Sequence, residues 1–518
     1  MEGKRKWPPG GTGYMSAKRY HDRTSYERYN MSGHHLDWGT QPKVFKTYPG
    51  LETVSLPSVT DWQQQDFSAV LETVQPETSG APLDLAALTR ILLLTETITA
   101  KARYGGTDFF FRSVASAGAL YPCELYVAAL EVTGLEPGLY HRTLVSGALT
   151  LLRSGKAAAE IVACVKQHGQ ELPSVGFFVT ATYYRSSWKY RDRAYRYHLL
   201  DCGHLLENLT LALKALSIPF ELFYDFPDSQ VNALLGVDEN REVCLAAVLA
   251  GDRISLSASE FPGETEPSIN LAEASRVANR EIEYPEIAAI HRLSCNISAP
   301  PESERPMTEA LGLSCEPGRP IELSAELAES VPYPDVVFKR RSLRNFVPAT
   351  LPADRFNTFL KMLCTDSADN GRRGPLAQTV IAVGFTASQV SGIDSGLYLL
   401  DRSRKTFALA HRRDLMDEVA HCCLGQEWLR NCGLHVLFLT NLDVLERTWG
   451  ARGYRYALLE AGRLGQRLYL GATAMKLGCC GIGAFYDSEA RRLFGLGDGA
   501  VLLYLVGVGP VRKMSGLW

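Results

Sequence analysis

Lys189 and Tyr190 stand side by side in the segment Trp188-Lys-Tyr190. An amine and a phenol with ordinary pKa values of about 10 can take up or give a proton once their surroundings shift them. On a solvated surface the same dipeptide does nothing, so its meaning depends on its neighbours. Three further stretches carry groups suited to a flat, anionic ligand. In Arg112-Ser-Val-Ala-Ser-Ala-Gly-Ala-Leu-Tyr-Pro122, the residues Ala115, Ser116, Ala117, Gly118 and Leu120 let a backbone approach a ring and offer it main-chain N–H groups. In Lys339-Arg-Arg-Ser-Leu-Arg-Asn-Phe346, the residues Arg340, Arg341, Ser342 and Arg344 form a candidate phosphate clamp of charge-assisted donors. In Gly478-Cys-Cys-Gly-Ile-Gly-Ala-Phe485, the residues Gly481, Ile482, Gly483 and Ala484 could expose backbone donors to a ligand edge, closing a helix before the acidic turn Tyr486-Asp487. Each has a bland counterpart: a tight loop, a solvated charge run, a glycine cap at Gly478. Neither a dinucleotide-binding fingerprint nor a phosphate-loop lysine fits these glycines.

Such groups act together only if a scaffold brings residues near 116, 189, 340 and 481 into one place. The sequence contains a device for that. Arg193-Ala-Tyr-Arg-Tyr-His-Leu-Leu-Asp-Cys-Gly203 matches Arg452-Gly-Tyr-Arg-Tyr-Ala-Leu-Leu-Glu-Ala-Gly462, and Leu234-Leu-Gly236 matches Leu493-Phe-Gly495, both at an offset of 259 residues. At nearly the same spacing Val243–Gly251 pairs with Val501–Gly509, and Gly138-Leu-Tyr140 with Gly396-Leu-Tyr398. Ordered matches at one offset mean an internal duplication. Ten of the 26 prolines fall between Pro262 and Pro334, marking a connector draped over the surface. The expected division is a first half over 1–251, a connector over 252–333 and a second half over 334–518.

Helical periodicity covers Leu83–Ile98, His198–Leu216, Arg355–Leu363 and Tyr454–Leu477, and strand-like runs cover Glu124–Glu131, Gly176–Tyr183, Val243–Leu249, Gly433–Leu439 and Val501–Gly507. Each half is therefore expected to be α+β, a three-layer α/β/α unit with a central sheet. Gly462, Gly465 and Gly471 lie along one predicted helix, where small residues would let a second helix approach closely.

With 518 residues, 46% hydrophobic and 21% charged, the chain can bury a full core. A net charge of −3 argues against nucleic acid or an anionic membrane as a partner held by charge. No run approaches the ~18 apolar residues that span a bilayer. The twelve cysteines and eleven histidines fall into no metal-ligand spacing, so no bound metal is expected. The expected setting is cytoplasmic, with the cysteines reduced.

Taken together the motifs resemble one family. The S-A-G-A-L-Y-P string, the Lys-Tyr pair before R-x-Y-R-Y-x-L-L-x-x-G-H, and R-R-S-x-R-x-F are similar to the SagB/ThcOx-type dehydrogenases of the FMN-dependent nitroreductase superfamily. The opening Tyr20-His-Asp-Arg-Thr-Ser-Tyr-Glu-Arg28, with His35-Leu-Asp-Trp-Gly-Thr-Gln-Pro42 and Phe45-Lys-Thr-Tyr-Pro49, belongs to the same pattern. The resemblance implies a nitroreductase-like fold present twice, forming an intramolecular pseudo-dimer within a monomer. It implies FMN at the interface, with the clamp and Gly-rich turn from one copy and the S-A-G loop and Lys-Tyr pair from the other. Arg512 and Lys513 could add to the clamp.

The complementary set is eroded. The second half has Arg372-Arg-Gly-Pro-Leu-Ala-Gln378 for the S-A-G loop and Thr448-Trp449 for Lys-Tyr, while the first half has Pro219-Phe-Glu-Leu-Phe-Tyr-Asp225 for the Gly-rich turn and no R-R-S-x-R-x-F. One composite FMN site is expected. Ala115 stands where the family usually has proline. The family precedent is oxidation of azoline rings in modified peptides, with hydride passing to FMN N5 and a proton to Lys189 or Tyr190, often beside a cyclodehydratase partner. A small-molecule substrate, an NAD(P)H-fed nitro or quinone reductase, and a flavin-free scaffold are the alternatives.

Overall fold

The computed structural model describes residues 15–31, 33, 35–62, 64–104, 107–167, 171–254, 260–261, 269–297, 305–323, 330–365 and 378–512. His34, Lys513 and the Arg372–Gln378 stretch, except its last residue, lie outside them. The first half runs α1 (Ala17–Arg23), β1 (Thr53–Ser55), α2 (Phe67–Glu72), α3 (Leu85–Thr95), β2 (Ile98–Tyr104), β3 (Thr107–Arg112), β4 (Cys123–Ala129), β5 (Gly138–Thr143), β6 (Ala148–Ser154), α4 (Gly155–Lys166), β7 (Leu172–Thr182), α5 (Tyr183–Tyr190), α6 (Ala194–Ala215), β8 (Phe220–Phe223), α7 (Asp228–Leu235) and β9 (Glu242–Ile254). The second runs α8 (Pro285–Ser294), β10 (Arg319–Pro320), α9 (Tyr333–Lys339), α10 (Ala353–Cys364), β11 (Ala382–Ala387), β12 (Gly396–Asp401), β13 (Thr406–His411), α11 (Met416–Cys422), β14 (Leu434–Asn441), α12 (Leu442–Trp449), α13 (Arg452–Ala474), β15 (Gly478–Ile482), α14 (Asp487–Leu493) and β16 (Ala500–Gly509).

Each half is built on a seven-stranded sheet, ordered β1-β6-β5-β4-β7-β9-β8 in the first and β10-β13-β12-β11-β14-β16-β15 in the second. Position for position the two orders are the same, which confirms the doubled α+β fold. Helices cover the sheets, so β4, β7 and β14 have no solvated side and are buried at every position. Helix α3 starts where the Asp84 carboxylate accepts from the Ala87 N–H, and α5 stops at Arg191, whose φ is +51°.

The halves meet along α6 and α13. A Cβ on Gly203 would lie 2.2 Å from the Leu459 carbonyl oxygen, and one on Gly462 would lie 2.2 Å from the Leu200 carbonyl oxygen. The contact is reciprocal, so the pseudo-twofold axis passes between the two glycines. Gly465 also faces the other half, at His204, whereas Gly471 faces Met362 of its own half. One apolar core runs across this crossing, from Leu88 of α3 to Val508 of β16.

Ion pairs repeat the symmetry. Asp487 accepts from Arg193 and Arg196, each over 2.7 Å; at the offset of the repeat, Asp228 accepts from Arg452 over 2.7 Å and Arg455 over 2.6 Å. His21 Nδ1 lies 3.0 Å from the Tyr454 hydroxyl, and His291 Nδ1 lies 3.2 Å from the Tyr195 hydroxyl. Helix α8 is thus the second copy of α1, and the edge strand β10 is the second copy of β1. Both fall within 252–333, so that stretch carries elements of the second unit as well as linking the two, and β9 continues to Ile254, beyond the boundary expected at 251. Among the described residues no helix is long and apolar enough to cross a membrane.

Candidate active site

The Ser116–Tyr121 loop joins the β2–β3 hairpin to β4. Gly118, Ala119 and Tyr121 all have positive φ, at 66°, 54° and 46°. For the two non-glycine residues this costs about 1–2 kcal/mol each, so something outside the loop must hold it. Two groups do. The Ser116 Oγ donates to the Asp201 carboxylate over 2.5 Å and the Ala117 N–H donates to the same group over 3.2 Å, while the Tyr121 N–H donates to Ser116 Oγ over 2.9 Å. From the second half, Arg340 donates to the carbonyl oxygens of Ser113 and Arg112, each over 2.7 Å, and of Val114 over 3.2 Å.

The Lys-Tyr pair rests on this loop. A Cβ on Gly118 would lie 2.7 Å from the Tyr190 hydroxyl and 3.1 Å from Lys189 Nζ, so glycine is required there on space as well as φ. Burial lowers the Lys189 pKa, and the Arg344 guanidinium lowers it further. Burial pushes the Tyr190 phenol well up. Lys189 is thereby the more readily neutral and available as a base, while Tyr190 keeps its proton and can donate a hydrogen bond. The Tyr190 ring lies 4.5 Å from that of Tyr197 on α6.

The second half supplies the facing wall. Ser342 Oγ lies 3.0 Å from the Tyr469 hydroxyl, which accepts the Gly481 N–H over 2.7 Å. The Gly-rich stretch expected to be a turn is the edge strand β15, paired with β16 from Gly478 to Ile482. Its glycines serve close approach: a Cβ on Gly481 would lie 1.7 Å from the Tyr504 hydroxyl, and one on Gly483 would lie 2.3 Å from the Tyr197 ring. Gly483 accepts from Arg193 over 2.9 Å and from the Tyr197 hydroxyl over 3.1 Å. Ile482 is buried and Ala484 half-buried. Ala115 is buried below the loop, and Leu120 packs beside Trp188.

The expected clamp is divided in use. Arg340 spends three bonds on the first half's backbone, and Arg341 donates to Thr99 of β2 through Oγ1 over 2.9 Å and the carbonyl over 3.0 Å. These two arginines join the halves, a role indistinguishable in sequence from phosphate binding. A flavin phosphate still finds donors: among the described residues Arg340 Nη1 is buried with no protein partner, and Arg344 and Ser342 are exposed. The residues present fit FMN.

Residues missed from sequence include Asp201, Tyr197 and Arg193, all within the repeated Arg-Tyr-Arg-Tyr segment, and Tyr469 and Tyr504. Burial raises the Asp201 pKa to about 7 against the opposing Ser116 bond. The symmetry-related position is filled differently. Tyr224 stands where the second half has Gly483; its ring stacks 6.1 Å from Tyr456 and its hydroxyl donates to Glu460 over 2.7 Å. Trp449 stands in place of Tyr190, 5.7 Å from the same Tyr456 ring. Asp228, His291 and Cys295 bring ligand atoms within 4.8 Å of one another, but both carboxylate oxygens already bind guanidiniums, which repel a cation.

A sequence model described as the nitroreductase family matches residues 77–252 and 337–510. The protein MJ1384 of Methanocaldococcus jannaschii, classed as a nitroreductase, is 27% identical over 198 residues, covering 37% of this chain and 98% of that protein. The trifolitoxin-processing protein TfxB of Rhizobium leguminosarum bv. trifolii is 30% identical over 150 residues, covering 28% of this chain and 40% of TfxB. A crystal structure of a protein from Anabaena variabilis, also classed as a nitroreductase, aligns with a TM-score of 0.75 at 26% identity, covering 96% of this chain and 100% of that one. That alignment takes in both halves.

Proposed function

The chain belongs to the nitroreductase family, and from that premise we propose that it is an FMN-dependent dehydrogenase of the SagB type with one composite site. The first half contributes Lys189, Tyr190 and the Ser116–Gly118 loop; the second contributes Arg340, Ser342, Arg344, Gly481 and Gly483. The observation that carries this is the packing of Lys189 and Tyr190 against Gly118, with Arg344 of the other half lowering the lysine. FMN, when bound, supplies a hydride acceptor. Arg340 Nη1, Arg344 and Ser342 would hold its phosphate.

The chain's own part in the reaction is the proton. As a substrate carbon loses its hydride, Lys189 in its neutral form takes the proton from the adjacent atom. Tyr190 keeps its own proton and donates a hydrogen bond. General-base help of this kind is worth roughly 10²–10⁴ in rate. The filled position at Tyr224 and Trp449 favours one flavin per chain, the two halves standing in for a dimer. The likeness to a trifolitoxin-processing protein favours a peptide over a small molecule as substrate, and the SagB-type resemblance goes with a cyclodehydratase-like partner.

The test is flavin content followed by turnover. One FMN per chain and loss of azoline oxidation in Lys189→Ala with Tyr190→Phe are expected. Two FMN per chain overturns the single site. NADPH oxidation left nearly intact in the double variant points instead to a nitro or quinone reductase. A colourless protein that gains no absorbance near 450 nm with added FMN points to a scaffold.

A further inference from the structure

Asp201 is a buried carboxylate with no basic partner among the described residues, and both its oxygens are engaged by the strained loop. Oδ2 accepts from Ser116 Oγ over 2.5 Å and Oδ1 from the Ala117 N–H over 3.2 Å. Ser116 Oγ in turn accepts from the Tyr121 N–H, so its own hydrogen is directed at Asp201. With a donor on each oxygen, the carboxyl has no acceptor for a proton of its own unless Ser116 reverses its hydroxyl. The same loop carries Gly118, where a Cβ would lie 3.1 Å from Lys189 Nζ and 2.7 Å from the Tyr190 hydroxyl. At the symmetry-related position Glu460 accepts from Tyr224 and Arg463, a different use of the acid.

We propose that Asp201 is a positioning residue: its ionised carboxylate holds the Ser116–Tyr121 loop in its left-handed conformation against Lys189 and Tyr190, and protonation of that one group releases the loop. This rests on the dehydrogenase reading for its catalytic consequence, but not for the loop itself. The groups facing Asp201 set the window. Ser116 and Ala117 face it from the loop, and Glu96 raises it from the end of α3. Tyr190 of α5, Cys123 of β4 and Tyr504 of β16 also feel its charge. None of these is a cation. Burial on α6 brings the carboxyl to about 7 even with the two loop bonds that lower it. Asp201 stays covered by its own helix when the loop lets go, so losing those bonds raises the group further, protonation favours the released loop, and release falls near neutral pH.

The experiment is hydrogen–deuterium exchange of the segment 113–121 in the full chain between pH 5.5 and 8.5, for the wild type, Asp201→Asn and Ser116→Ala. Wild-type protection is expected to rise several-fold through pH about 7 relative to Asp201→Asn at the same pH. Ser116→Ala removes a bond to the ionised form, so its transition moves to higher pH. In turnover, kcat should show an acidic limb with the same midpoint, absent in Asp201→Asn, with KM changed less than kcat. Wild-type exchange that tracks Asp201→Asn at every pH overturns the proposal, as does an unmoved transition in Ser116→Ala. Should Asp201→Asn fail to fold, the Ser116→Ala shift alone decides. Failure to bind flavin would sink the dehydrogenase reading and leave the exchange transition intact.

Discussion

Arg340 Nε donates to the Ser113 carbonyl oxygen over 2.7 Å, across 227 residues of sequence. That bond and its two companions tie the first turn of the second half's arginine segment to the strand end that launches the Ser116 loop. The geometry of the site is therefore set by a contact between the two copies.

Arg340→Ala should lose this tie, take the guanidinium donor from the Arg112 and Val114 carbonyls, and leave Ser113 with only the long 3.4 Å bond from Gln466. At roughly 1–3 kcal/mol per unsatisfied group, softened by local relaxation, the chain should lose about 3 kcal/mol in a denaturant titration. Flavin retention should fall with it. Arg340→Lys should recover part of the stability, since an ammonium reaches one carbonyl and cannot fork across three.

Asp487 and Asp228 make graded predictions. Replacing Asp487 by Asn leaves Arg193 and Arg196 buried without a counter-charge, a change worth about 3–5 kcal/mol, whereas in Asp228→Asn Arg452 keeps its pair with Asp225 over 3.0 Å and the cost should be smaller. Burial alone would raise the Asp487 carboxyl, but Arg193 and Arg196 overcome it and hold the group well below the usual carboxylate range. The stability from this depressed value is present above the ordinary Asp value of 3.8 and is lost as pH falls toward the folded one. Acid unfolding curves should show the loss below pH 3.8 in the wild type and not in Asp487→Asn.

Arg344→Met should raise the Lys189 pKa, because burial remains but the neighbouring positive charge is gone. A lysine must be neutral to accept a proton. The alkaline-rising limb of kcat against pH should then shift upward, and the rate at pH about 7 should fall.

Gly203→Ala and Gly462→Ala place a methyl 2.2 Å from a backbone oxygen of the opposing helix, which cannot swing aside as a side chain could. Overpacking of this kind costs typically 1–3 kcal/mol and occasionally more. Both variants should lie at or above the top of that range in thermal melts. Gly471→Ala, which meets the flexible Met362 thioether, should cost less.

The sheets and long helices were legible because their apolar runs are long: β4, β7 and β14 are buried throughout, and α6 and α13 carry the repeat itself. Helix α8 was hidden because it shares little with α1 beyond His291 and His21. What relates them is the placement of each imidazole against a tyrosine of the long helices, visible only in three dimensions. The Gly-rich stretch that forms β15 and the residues after it read as a turn because Gly481 admits Tyr504 and Gly483 admits Tyr197, rather than bending the chain. That Arg340 and Arg341 also tie the halves was hidden because a guanidinium facing a row of carbonyls has the same sequence signature as one facing a phosphate. Asp201 gave no signal: one acid on a helix says nothing of the loop it holds.

Tyr224 and Gly483 occupy equivalent positions, one closed by a ring and one left bare. In an assembly of two separate identical chains, every residue is inherited in both places at once, and a ring could not be added to one cleft without blocking the other. Joining the copies end to end frees each cleft to be rewritten alone. The chain can be asymmetric at the scale of a single side chain while keeping, in Gly203 and Gly462, the seam of a symmetric pair.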